Sequence, residues 1–435
     1  MLIGFFGLIV KALMMIIFIN RYIAGVAVRL WRGSKWDETT DDYEPTVAVV
    51  IPMFNEGKGI AETLDSLLQQ SYPKHKLTIT VVDDMSTDDS YEQAMRVARR
   101  SGGRLRVIKN TRNMGKRRSI NRAVREADAE IIVSVDSDVV VDADAVRQLI
   151  RRFVSPDIAA VGGRVDVRNK GENWLTRMQV VKYWYSYGFM KNLEWAFRRV
   201  MCLSGCLTAY RRDVLIKLEP LLENREILGV PIRYGEDRYL TRQIVKAGYY
   251  TTMTLDAVCR TNVPTRLPDY FSQQLRWRRS NIMDYAGGMS HVWRLNPIVA
   301  IHFFSLFGLL LLYPVLLART IVAGRFWSTL VVHVVFAAVF GLWYRWKTRK
   351  QPASETVNPF SFMPIAIVLP VIYALMTPVA MFTLDSSSWE TRGHAGNDAD
   401  ADGDGDAIPV EEDSDDGADL SRPQTAAARA QLPAA

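Results

Sequence analysis

Apolar and polar positions alternate along this chain in two textures. Between about residues 45 and 265, short apolar runs are separated by stretches with helical spacing. The runs "VAVVIPMF" (47–54), "LTITVVDD" (77–84), "LRVIKN" (105–110) and "AEIIVSVDSD" (129–138) read as buried strands, and 59–70, 88–101 and 116–127 as the helices between them. Such βαβ alternation predicts an α/β domain with a mostly parallel sheet, whose ligands bind at the carboxyl ends of the strands. The second texture is continuous: 2–19 has one charge, while 297–318 and 326–344 have none, and each is long enough to cross a hydrocarbon core. A last apolar run, 359–384, is also long enough, but Pro364, Pro370 and Pro378 predict a broken or interfacial helix there.

The two textures meet in a helix that starts at Pro268. Leu267, Phe271, Leu275, Ile282, Tyr285, Met289 and Trp293 fall on one stripe, with Gln273, Arg276 and Trp277 opposite and Gly287-Gly288 weakening the last turn. A basic amphipathic helix just before a membrane span is expected to lie on the bilayer surface, with its stripe in lipid and Arg278 and Arg279 at the headgroups. The expected organisation is then an anchor in 1–30, a catalytic domain in 45–265, an interface helix in 266–295 and two spans in 297–346. A proline-containing segment at 359–393 and a low-complexity tail at 395–435, acidic and then Ala-rich, complete it.

Charge refines the picture. The net charge of +7 conceals eleven acids in 397–419, without a Lys or Arg among them, which leaves +16 on the preceding residues. A basic body suits lipid headgroups and nucleotide phosphates. Nucleic acid is not expected, because the aromatics do not interleave with the basic residues as a stacking platform. Arg21, Arg29, Arg32 and Lys35 follow the first apolar run, and Arg345, Lys347, Arg349 and Lys350 follow 326–344. Both clusters place the same side in the cytoplasm, so a multi-pass protein of the cell membrane with a cytoplasmic catalytic domain is expected. Cys202, Cys206 and Cys259 make neither a disulfide framework nor a zinc motif.

Carboxylates stand where the strands end. In "VDSDVVVD", Asp136 and Asp138 are two apart, so an extended chain points both to one side, and oxygen ligands of this kind suit Mg²⁺ or Mn²⁺ with positions left for substrate phosphates. Asp83 and Asp84 could accept from a ribose hydroxyl or a base N–H, or simply cap a helix, although Asp88 already suits that purpose. "NMGKRRSIN" (113–121) sets Lys116 and Arg117 at a helix start, for phosphates or for a solvated face. In "YGEDRYLT" (234–241), Glu236-Asp237 reads alone as a salt-bridged turn, or as a general base kept ionised by Arg238.

Together, "VDDMS", "DSD", "SGCLTAYRRDVL", "GEDRYLT" and "QQLRW" resemble, in order, the motifs of the processive, membrane-embedded inverting glycosyltransferases of family two. That group includes hyaluronan, nodulation chitooligosaccharide, chitin and cellulose synthases, and the resemblance covers about 45–395. It implies a GT-A nucleotide-sugar fold inserted between transmembrane helices. Asp83 and Asp84 would lie near the uridine, Asp138 with Asp136 at the metal and diphosphate, and Lys116, Arg117 and Arg276 near the donor phosphates. Asp237 would be the catalytic base, with Glu236, Gln273 and Trp277 at the acceptor end. "SSSWETRG" (386–393) adds Trp389, Thr391 and Arg392 as a cytoplasmic gating motif. The implied reaction joins UDP-sugars, UDP-GlcNAc and with it UDP-GlcUA, into a polysaccharide carried across the bilayer, as in hyaluronan synthases; the alternative is a chitin-type synthase using UDP-GlcNAc alone. Hyaluronan synthases usually carry Gly-Asp-Asp-Arg and Ser-Gly-Pro-Leu. Here Glu236 and Cys206 interrupt those patterns, and the Glu looks more like the nodulation enzymes.

Overall fold

A computed structural model describes residues 38–384 apart from 224, 228, 229, 233 and 296, together with Met15, Ile23 and 25–32. The expected anchor in 1–30 therefore lies largely outside the described residues, as do Trp389, Thr391, Arg392 and the tail.

The strands are β1 (Val47–Met53), β2 (Leu77–Asp83), β3 (Leu105–Lys109), β4 (Ile131–Val135), β5 (Val139–Val141), β6 (Ile158–Val167), β7 (Leu207–Arg211), β8 (Glu226–Ile227), β9 (Val230–Pro231) and β10 (Tyr250–Thr261). Eight of them form one sheet in the order β3-β2-β1-β4-β7-β6-β10-β5, while β8 and β9 make a separate hairpin. Every side chain of β1 and β4 is buried, because helices cover both faces of this part of the sheet. Pro52 is tolerated in central β1 because β4 pairs with β1 only as far as Val50, so the missing N–H falls beyond that ladder.

The expected mostly parallel sheet is in fact mixed. The quartet β3-β2-β1-β4 is parallel, but β7 runs antiparallel to both β4 and β6, and β5 antiparallel to β10. Reversal of β7 brings its beginning, Leu207, beside Val135 at the end of β4. One edge of the sheet therefore gathers the ends of β1, β2, β4 and β10 and the start of β7.

Three helical segments, Pro297–Val322, Phe326–Lys347 and Pro359–Met381, are long and apolar enough to cross a membrane. The prolines do not break the third: past Pro370 it widens into a π turn at Ile372–Met376 and resumes at Thr377–Met381. These helices pack on the α/β domain. Leu175 and Met178 of the helix Trp174–Tyr185 are buried together with Tyr270, Phe340, Tyr344 and Phe362. Each such side chain contributes about 1.5–3 kcal/mol when it is fully removed from water.

The interface helix spans Leu267–Gly288, beginning at the proline as expected but ending before residue 295. Its stripe does not face lipid alone: Leu275, Ile282 and Tyr285 pack against Phe307, Leu310, Tyr373 and Ala380 of the chain's own apolar helices. Leu267, Met289 and Trp293 are exposed. Arg278 is buried with its guanidinium 4.0 Å from the Tyr373 ring centroid, and Arg279 Nε donates to Thr383 Oγ1 at 3.0 Å. Neither arginine therefore takes the headgroup place expected of it, because the apolar helices close over this side. Gly288 lies in the helix because a Cβ there would collide with the Phe303 ring.

Candidate active site

Asp83 and Asp84 end β2 and are both buried, but their surroundings differ. Asp84 Oδ1 accepts from Asn110 Nδ2 at 2.7 Å and from the Met114 N–H at 2.8 Å, and Oδ2 accepts from the Gly115 N–H at 2.7 Å. Both oxygens thus hold the loop that turns through Gly115, at φ +82°, into the helix Lys116–Glu126. That binding corrects the expectation of Asp84 at a nucleotide. Asp83 accepts from the Ser86 N–H at 3.1 Å through Oδ1, lies 3.7 Å from Lys109 Nζ, and has no hydrogen bond to Oδ2 among the described residues. Asp88 serves the helix start as expected: its Oδ1 accepts from the N–H of Ser90, the first helical residue, and its Oδ2 from the Gly57 N–H, while Asp89, at the cap position itself, makes no side-chain cap bond.

Lys116, the first residue of its helix, reaches across the sheet edge to Asp136 Oδ1 at 2.7 Å and Glu236 Oε1 at 3.1 Å. Burial disfavours its ammonium, but Asp136 and then Glu236 outweigh this and hold the pKa well above the usual lysine value. Burial likewise opposes the Asp136 and Glu236 carboxylates, yet Lys116 overcomes it and both lie below the usual range. Arg117 faces elsewhere: its guanidinium donates to the carbonyls of Ile232 and Glu223 at 3.3 Å, so it braces that segment rather than serving a phosphate.

Asp136 and Asp138 are not on a strand. They occupy the turn between Val135 and Val139, which replaces the alternation argument for their common direction. Asp136 pairs with Lys116, while Asp138 Oδ2 accepts from Thr261 Oγ1, at the end of β10, at 3.3 Å. Arg276 adds positive potential at Asp136. Among the described residues no group of three or more His, Cys, Asp or Glu gathers. Two hard carboxylates nevertheless fit Mg²⁺ or Mn²⁺, which bind through one or two carboxylates and take further oxygens from substrate phosphates and water.

Asp237 is in the first turn of the helix Glu236–Lys246, which starts from Gly235 at φ +67°. Only glycine suits this position, since a Cβ would also run into Ser280 of the interface helix. Asp237 Oδ2 accepts from the Gly205 N–H at 3.3 Å, and Oδ1 accepts from the Arg238 N–H at 2.7 Å. Burial, followed by the Glu236 carboxylate, pushes the Asp237 carboxyl above its ordinary range, against the pull of Lys116 and Arg238. Arg238 acts in the expected direction, favouring the ionised form, but burial and Glu236 outweigh it. The helix is tied to the interface helix by a buried ion pair, Arg242 Nε to Asp284 Oδ1 at 2.7 Å.

The QQLRW stretch meets a partner that the sequence reading missed. Lys182 Nζ donates to Gln274 Oε1 at 2.8 Å and to Tyr270 Oη at 3.1 Å, and stands 5.6 Å from the Trp277 ring centroid. Burial, helped by Arg278, lowers its pKa to about 7. Gly205 and Thr261 were also missed as partners of Asp237 and Asp138; "SGC" was the available signal for the first, whereas nothing local marked Thr261 or Lys182.

The mixed α/β sheet carries carboxylates and a lysine along one edge and, among the described residues, is backed by three apolar helices; the family match and the structural likeness that follow make it a glycosyltransferase of the GT-A class. A family model described as "Glycosyltransferase like family 2" matches residues 45–280, and the chain belongs to that family. An N-acetylglucosaminyltransferase of Rhizobium meliloti is 30% identical over 358 residues, covering 80% of this chain and 82% of its own. One of Azorhizobium caulinodans is 37% identical over 243 residues, covering 56% of this chain and 61% of its own. Among solved structures, a mannosyltransferase from Pyrobaculum calidifontis, in complex with GDP-Man and Mn²⁺, aligns with a TM-score of 0.58 and 23% identity over 84% of this chain and 98% of its own. That likeness supports the fold.

Proposed function

We propose that this glycosyltransferase is a processive, inverting β-N-acetylglucosaminyltransferase that builds a chitin-type oligosaccharide from UDP-GlcNAc. The observation that carries the reading is similarity to proteins named N-acetylglucosaminyltransferase along most of the chain, here joined to a half-buried carboxylate at Asp237 whose pKa is raised. A hyaluronan-type product needs UDP-GlcUA as a second donor, and the relatives favour the single-donor alternative.

In this reading Asp237 takes the proton of the acceptor hydroxyl. The acceptor oxygen attacks the anomeric carbon as its bond to the UDP oxygen breaks, so the configuration inverts and the electron pair leaves with UDP. Raising the Asp237 pKa strengthens it as a base. Trp277 offers the acceptor sugar an aromatic face, Gln273 an amide, and Arg276 and Lys116 add positive charge towards the leaving diphosphate. Asp138, with Asp136 beside it, would hold Mg²⁺ or Mn²⁺, which supplies further charge neutralisation to that diphosphate. Asp83, whose Oδ2 faces Lys109 Nζ at 3.7 Å and takes no hydrogen bond among the described residues, would lie near the nucleoside, and Asp84 acts by shaping the loop. In this reading the chain sits in the cell membrane with its catalytic domain on the cytoplasmic side and the polymer crossing the bilayer, a reading supported by the three apolar helices among the described residues and by the basic cluster after 326–344. A gating role for Trp389, Thr391 and Arg392 would require the third apolar helix to be re-entrant or interfacial, since a full crossing would carry the chain after it to the outer side.

The test is UDP release by membranes carrying the full chain, with UDP-GlcNAc alone, UDP-GlcUA alone and both. UDP-GlcNAc alone is expected to sustain turnover, and Asp237→Asn to abolish it. An absolute requirement for both donors would instead establish the hyaluronan-type reaction.

A further inference from the structure

Lys182 is the hub of the QQLRW stretch although it is distant in sequence. The helix that carries it is set by a capping box: Asn173 Oδ1 accepts from the Leu175 and Thr176 N–H groups, and Thr176 Oγ1 accepts from the Asn173 N–H. Two further bonds clamp this helix to the approach of the interface helix, from Asn173 Nδ2 to the Thr265 carbonyl at 2.8 Å and from Gln179 Nε2 to the Pro264 carbonyl at 2.9 Å. Lys182 is thereby held against Tyr270, Gln274 and Trp277, which share one face of the interface helix.

The chemistry of the contacts fixes their direction. Lys182 Nζ donates to Gln274 Oε1 at 2.8 Å, so Gln274 turns its carbonyl oxygen to it. The amide nitrogen of Gln274 then faces the other way and donates to Gln273 Oε1 at 3.4 Å. Gln273 is left with its amide nitrogen uncommitted among the described residues, one helical turn from Trp277 on the same face. Without Lys182, both amides are free to flip and Gln273 can present either end.

We propose that Lys182 is a positioning residue that, through Gln274, makes Gln273 present an N–H donor to the acceptor chain, so the acceptor group read at this point is an oxygen, an acetamido carbonyl or a sugar hydroxyl. This rests on the assignment of QQLRW to the acceptor end. Lys182 touches neither donor nor reacting atoms; it sets the polarity of a side chain that does.

The experiment uses the full chain in detergent, with UDP-GlcNAc and a chitin oligosaccharide as acceptor. Lys182→Met is expected to raise the acceptor KM about ten-fold while kcat at saturating acceptor changes by less than about two-fold, the signature of lost binding that is uniform through the reaction. Lys182→Arg, which still donates, is expected to recover most of the loss. Gln274→Leu should weaken acceptor binding similarly, and Lys182→Met should add little in its presence, since residues in one relay are not additive. Equal falls in kcat and acceptor affinity, no rescue by arginine, or full additivity of the two substitutions would overturn the proposal and leave the activity itself standing. A wild-type chain that transfers no GlcNAc would overturn the functional reading and this inference with it.

Discussion

In the proposed reading, the donor edge and the acceptor edge of this site are built in different ways. At the donor edge, Asp83, Asp84 and the loop to Lys116 lie within about one βαβ unit, and Asp84 organises that loop through bonds to backbone N–H groups. At the acceptor edge, every important contact joins helices remote in sequence: Lys182 with Gln274, Arg242 with Asp284, and Gly235 against Ser280. The donor edge is therefore a property of the α/β domain, whereas the acceptor edge exists only when the interface helix is seated between that domain and the apolar helices. Asp237 stands at the junction, bonded to the Gly205 N–H on one side and carried by the helix that Asp284 anchors on the other.

The largest effect should come from that junction. Asp237→Asn keeps the size of the side chain but removes the base, and transfer is expected to fall about 10²–10⁴-fold with binding of UDP retained, measured by UDP release beside calorimetry.

Next, Asp284→Ala leaves Arg242 buried and unpaired, at a cost of about 3–5 kcal/mol. It should lower the thermal midpoint and raise the acceptor KM more than the donor KM, because it loosens the seat of the interface helix. Asp84→Ala gives the converse. It strands the Met114 N–H, at about 1–3 kcal/mol, leaves the Gly115 N–H only Asn113 Oδ1 at 3.1 Å, and should raise the donor KM more than the acceptor KM. If both substitutions shift both KM values alike, the division into two edges fails.

A smaller effect concerns pH. Asp237 works only as its carboxylate, so a raised pKa makes activity fall sooner on acidification. The acid limb of kcat/KM should lie above the ~3.9 of an ordinary aspartate, and it should be absent from the residual activity of Asp237→Asn.

The same division explains what could be read from sequence. β1 to β4 and their helices were legible because period and composition are local, and Gly115-Lys116 was legible as a helix start, whereas Glu236-Asp237 read alone as a turn and proved to open a helix. The reversal of β7 was not, since strand direction depends on pairing with β4 and β6. The dependence of Asp84 on its own loop, the turn at Asp136–Asp138 and the bracing role of Arg117 needed coordinates, because a carboxylate or guanidinium near a site has the same spelling whether it meets substrate or backbone. The interface helix shows the limit most plainly. Its apolar stripe was assigned to lipid, yet Leu275, Ile282 and Tyr285 pack on the chain's own apolar helices, because an apolar partner within the chain and a lipid select the same residues; Arg278 and Arg279, sent to headgroups, are found over Tyr373 and bonded to Thr383.

The most direct test of the functional account is the mass spectrum of the product made by the full chain from UDP-GlcNAc and UDP-GlcUA supplied together. The account predicts a ladder of species spaced by one N-acetylhexosamine, lost in Asp237→Asn. A ladder in which hexuronate and N-acetylhexosamine alternate would contradict it.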